Sequence, residues 1–155
     1  MILRDKNYLA QSTVHSFLLG VLLLFSPISM AADRIGLVKT YKPVATVIRQ
    51  GAEIRLEIGA KIFVGDAIVT DSDGIVGIIF SDGAVLTLGP GGRLIVEDFL
   101  FKPSEKKVSF LSRVIKGSVA FVSGAIGRIS PGSVQFKTPT ATLGLRGTKI
   151  LIEVE

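Results

Sequence analysis

The sequence predicts an all-β fold: one domain of antiparallel strands in a sandwich- or roll-like arrangement, with a short β-helical roll as the alternative. Three observations point there. Turn signals made of Gly, Asp, Ser and Pro recur at intervals of roughly 8–12 residues, the spacing of short strands in sandwiches and barrels. The runs between them are rich in Val, Ile, Thr and Phe, which fit a pleated, half-buried surface. Asp82-Gly83 stands between two apolar runs, and Asp-Gly in that setting is the strongest short-range hairpin signal.

The elements follow in order. Val44–Arg49 is a β-rich run and predicts a strand. Glu53–Ile58 alternates polar and apolar between Gly51 and Gly59, which predicts a strand with one wet face. Ile75–Phe80 is apolar on both faces, as a central strand would be. Val85–Leu88 is its hairpin partner across the Asp-Gly turn, and Gly89-Pro90-Gly91-Gly92 is a loop. Arg93–Phe101 predicts a further strand, and Lys102–Lys107 a polar, exposed connection. Val108–Arg113 and Gly117–Val122 predict two strands. Phe121–Ile129 admits a short helical turn, and Gly124 and Gly127 argue against a long one. Val134–Lys137 alternates again. Lys149–Glu155 is a last strand, with Ile150 and Ile152 on one face and Leu151 and Glu153 on the other.

Residues 1–31 predict a signal peptide. Arg4 and Lys6 form a basic n-region, Phe17–Phe25 an apolar h-region, and Ser29-Met30-Ala31 supplies the small residues of a cleavage site. An uncleaved anchor is the alternative. In both readings the domain of residues 32–155 lies outside the inner membrane, and the expected location is periplasmic. The chain has no cysteine, so an exported domain of this sequence must be held by its apolar core alone. Phenylalanines with apolar neighbours, Phe80 among them, are expected in that core.

The formal net charge of +5 is unevenly spread. Residues 102–155 hold nine Lys and Arg against three Asp and Glu. That imbalance makes either a solvated basic face or a docking surface for an anionic envelope component, such as a lipid head group, a cell-wall carboxylate or an acidic protein face. Nucleic acid is not an expected partner outside the cytoplasm, and the cations are scattered singly apart from Lys106-Lys107.

Chemistry is poorly provided for. The one histidine, His15, lies in the leader, so the domain has neither His nor Cys. Ser-His-Asp and Cys-His pairs and the usual zinc sites are excluded. Glu97-Asp98 are adjacent on a strand and should point to opposite faces. Asp71-x-Asp73-Gly74 begins like a calcium loop but has no glutamate at the required spacing, and it reads as a turn. No catalytic residue, metal ligand or cofactor is expected.

The most specific stretch is Thr138-Pro139-Thr140-Ala141-Thr142-Leu143-Gly144-Leu145-Arg146-Gly147-Thr148. Pro139 fixes its own φ and pushes Thr138 toward extended geometry. The threonines favour strand, and Gly144 and Gly147 permit a positive φ or a close backbone approach. Arg146 stands alone among small and apolar residues. It is expected to clamp strands through backbone carbonyls or a carboxylate such as Asp66 or Asp82.

This stretch resembles the signature that closes the periplasmic domain of the FecR family of regulators. The resemblance extends to Val44–Gly51, Gly65-Asp66, Thr70, Phe80-Ser81-Asp82-Gly83, Leu86-Thr87-Leu88-Gly89-Pro90 and Gly117, and covers roughly residues 36–154. It departs at Gly91-Gly92, where the family has polar residues. It implies a structural role for the motif residues Thr138, Pro139, Thr140, Ala141, Gly144, Arg146, Gly147, Thr148, Asp82 and Gly83. The residues ahead of the apolar leader are too few for the anti-sigma segment and membrane helix of FecR-type regulators, so a stand-alone exported module is expected. By resemblance its partner is a protein of the envelope, met through an exposed edge strand. The alternative is a structural or self-associating component held to anionic surfaces by the basic C-terminal half.

Overall fold

Twelve strands are present among residues 33–147 and 149–155, which the computed structural model describes. In chain order they are β1 (Gly36–Lys42), β2 (Ala45–Arg49), β3 (Ala52–Arg55), β4 (Lys61–Ile62), β5 (Ala67–Thr70) and β6 (Ile75–Phe80), followed by β7 (Val85–Leu88), β8 (Arg93–Lys102), β9 (Lys107–Val122), β10 (Val134–Lys137), β11 (Thr142–Gly144) and β12 (Lys149–Val154). A single 3-10 turn spans Pro103–Glu105, and one short helix, α1, spans Ala125–Ile129. The all-β expectation holds. The helical turn falls inside the segment where the sequence admitted one. The leader, residues 1–31, lies outside the described residues.

The strands form two sheet faces that share β9. One runs β4-β1-β6-β7-β9-β12 and the other β3-β2-β5-β8-β9-β10-β11. Together they curl into a half-barrel, the roll-like form of the all-β class. β6 sits between β1 and β7, as its two-sided apolar run required. Gly83 takes φ +83° in the β6–β7 turn, the conformation for which Asp-Gly is suited.

Three expectations need correction. Val108–Arg113 and Gly117–Val122 are one continuous strand. Residues up to Lys116 pair with β8, whereas residues from Gly117 pair with β7 and β12. Gly117 marks this change of sheet with φ +88°, and the Cα of Gly92 lies 2.6 Å from where a Cβ would stand. The first residue of the second predicted strand is thus the place where one continuous strand changes partners.

The pairing is also not antiparallel throughout, because β10 runs parallel to β9. That needs a crossover, which α1 and the following turn provide. Finally, the strand expected over Glu53–Ile58 ends at Arg55: β3 is exposed along its length, and past its end Leu56 is buried in the core while Ile58 faces solvent. The alternation was real, but an edge strand with no layer over it buries neither face.

The core lies between the two sheets. Phe110 is its hub, with ring centroids 5.0 Å from Phe80, 5.2 Å from Phe121 and 5.6 Å from Phe136. All four rings are at most 3% exposed. Edge-to-face and tilted pairs of this kind add to the area they bury.

Candidate functional site

The closing motif is a hairpin tip on the surface. β10 leads into a bend at Pro139 and Thr140, and β11 returns antiparallel to it. Thr138 closes the bend. Its N–H donates to the Ala141 carbonyl at 2.8 Å, and its Oγ1 accepts the Ala141 N–H at 3.0 Å. The Thr138 hydroxyl therefore serves the turn, where it mimics a backbone partner, Thr140 sits in the bend, and of the three described threonines of the motif only Thr142 lies in a strand. Pro139 through Gly144 are exposed, as are Arg146 and Gly147. Leu145 is the anchor: it packs against the core, and its N–H donates to the Val134 carbonyl at 2.9 Å. Thr148 lies outside the described residues.

Arg146 is exposed, and neither carboxylate named for it is its partner among the described residues. Asp66 is gripped by Arg49. Asp82 spends its carboxylate on backbone: Oδ1 accepts the Ala84 N–H at 3.0 Å, and Oδ2 accepts the Ile126 N–H at 3.2 Å. Asp82 thereby fixes the β6–β7 turn and caps the start of α1, as a carboxylate does at a helix N-terminus. Asp82 and Gly83 thus work at that turn, away from the 138–147 hairpin. Gly144 and Gly147 also differ from expectation: neither has a positive φ, and nothing lies within 4 Å of where their Cβ atoms would be. The fold itself does not require glycine at either position.

Two open depressions flank the hairpin tip. One, of about 440 Å³, is lined by Arg113, Lys137 and the tip residues 138–142. The other, of about 300 Å³, sets Glu153 and Glu155 against the same tip. In the first, Glu97 bridges two cations. Its Oε1 accepts from Arg113 Nε at 2.5 Å, and its Oε2 accepts from Lys137 Nζ at 3.1 Å. The hydrogen bond from Arg113, with help from Lys137, holds the Glu97 carboxyl below its ordinary value against the opposing effect of burial. With two cations to one anion, this side of the tip is cationic, while the Glu153 side is anionic.

Sequence reasoning did not find this triad. Lys137 and Arg113 are direct neighbours only through the parallel β9–β10 pairing, and Glu97 reaches them from a bulge in β8. No local pattern announces either feature. Elsewhere, Thr70 supplies the polar support that Gly91-Gly92 lack. Its buried hydroxyl donates to the Gly89 carbonyl at 2.6 Å and accepts the Gly92 N–H at 2.8 Å. Asp71 turns as expected, its carbonyl accepting the Gly74 N–H at 3.0 Å.

Among solved structures, one described as a cell surface anchoring domain is 31% identical over a match that covers 39% of this chain and 82% of that one, with a TM-score of 0.38. No curated protein matches. The family model described as FecR protein matches residues 66–155, from the buried Asp66 through the surface hairpin to the last strand. That is more than half of the chain, and the chain belongs to the FecR family.

Proposed function

We propose that this protein is an exported, non-enzymatic binding and regulatory module that recognises a protein of the bacterial envelope. Residues 1–31 serve as its signal peptide and residues 32–155 as the recognising domain, outside the inner membrane. The observation that carries the reading is the unspent hairpin. The most specific motif of the chain is exposed, and its two glycines answer to no constraint of the fold. A glycine that its own fold does not need gives room for a foreign backbone to approach closely. The exposed β11 pairs with β10 and offers an edge to a partner strand, flanked by the cationic and anionic sides of the tip. The domain has neither His nor Cys, which favours binding over covalent or acid–base chemistry.

The test is site-specific crosslinking in cells that express the full chain. A photoreactive residue at Leu143 on β11 is expected to capture a defined envelope protein, whereas one at Ile58, exposed elsewhere, does not. Gly144→Leu should abolish the capture without lowering the thermal midpoint. Equal capture from both positions, or capture that survives Gly144→Leu, refutes the proposal.

A further inference from the structure

The outer side of the β4-β1-β6-β7-β9-β12 sheet carries a row in which each residue stands directly opposite the next: Lys61, Leu37, Ile79, Val85, Val122, Lys149. Residues opposite one another share a face. The row on the other side, Val38, Ile78, Leu86 and Phe121, is core. Four aliphatic side chains in line therefore face away from the core, with a lysine at each end. Val85 and Val122 are 39% and 41% exposed. In the neighbouring row, Ala120 stands opposite Leu151, which is 73% exposed. Lys42, exposed and opposite Ile75, adds a third cation to this face, and Glu153, opposite Ser118, adds an acid.

We infer that this face docks on an anionic phospholipid surface, with the aliphatic row and Leu151 in the head-group layer and the lysines on phosphates. An exposed apolar patch rimmed by charge marks an interaction site, and the charge decides the occupant. A second copy is disfavoured, because a row with lysine at both ends sets lysine toward lysine whichever way two copies stack. A protein partner fits less well. The face has no Trp, Tyr or Arg among these residues, and lysine is depleted where proteins meet. Lipid accepts this composition: aliphatic side chains enter the interface, and lysine stems lie along apolar surface while their heads reach phosphate. The inference is independent of the hairpin reading, since it uses different residues and a different sheet.

The full chain is mixed with vesicles of phosphatidylcholine, with and without phosphatidylglycerol, and binding is read by flotation. The leader is the same in every variant, so differences report the domain. Binding is expected to need phosphatidylglycerol and to weaken with added salt. It should fall about fivefold for each of Lys61→Gln and Lys149→Gln, and be lost in Leu151→Glu at an unchanged thermal midpoint. Three results would overturn the inference. Leu151→Glu could bind as well as the parent. Vesicles without phosphatidylglycerol could bind equally. Sedimentation could show a dimer of the parent that Leu151→Glu dissolves. All three substitutions are at exposed positions, so folding does not confuse the reading.

Discussion

Arg49 on β2 and Asp66 ahead of β5 form a two-pronged ion pair. Nε meets Oδ1 and Nη2 meets Oδ2, both at 2.7 Å. The Asp66 side chain is fully buried. It also accepts the Phe63 N–H at 2.9 Å, while the guanidinium lies 4.4 Å from the Phe63 ring centroid and donates to the Lys61 carbonyl. One arginine thus ties β2, β4 and the turn before β5 together. The hydrogen bonds that Arg49 donates to Asp66 raise the Arg49 pKa above its ordinary value, against the opposing effect of burial.

Arg49→Ala should therefore lower stability by about 3–5 kcal/mol, because it leaves a buried carboxylate without its cation. Arg49→Lys should recover only part, since an ammonium cannot match the fork. Arg146→Ala, at an exposed site, should fall within about 0.5 kcal/mol of the parent. Urea denaturation of the three variants checks the ranking, and a reversed order of Arg49 and Arg146 would restore Arg146 as the clamp.

Phe110→Ala should cost about 3–5 kcal/mol by leaving a cavity between four aromatic neighbours. Phe99, partly exposed at the rim of the same cluster, should cost less on the same change. Thermal unfolding of both variants reads the difference.

Gly117→Ala should destabilise by about 1–3 kcal/mol from backbone strain alone, with the contact to Gly92 added. Gly144→Ala meets neither obstacle and should be close to neutral. If both glycines proved equally intolerant, the hairpin would be structural after all and its role in recognition would fall.

Stability should drop as acid titrates Glu97. Its folded pKa lies below the ordinary 4.5, so its contribution is complete above about that pH and vanishes as pH falls through the folded value. Arg113 and Lys137 are about half and one-third exposed, which limits each pair to roughly 0.2–1 kcal/mol. Glu97→Gln should flatten this part of the stability–pH curve and leave stability near neutral pH lower by a similar amount. An unchanged curve would mean that the triad does not persist in solution.

The sequence by itself determined the class and most of the strands. The apolar runs and the Asp82-Gly83 turn are local, and the strands from β6 to β8 follow them, whereas β1, β4 and β5 were not read from the sequence. The composition also showed that neither His nor Cys is available to the domain. Tertiary structure alone decided which groups meet. The partner of Asp66 is set by how β2 lies against β5, and no rule of spacing separates Arg49 from Arg146 as candidates. The parallel β9–β10 register that places Lys137 beside Arg113 depends on a crossover, and the lysine-ended row depends on five strand pairings at once. The closing motif shows the same division. Its residue types predicted a strand and a turn, but burial is a property of what packs above a residue, and here the described fold leaves the tip open to solvent.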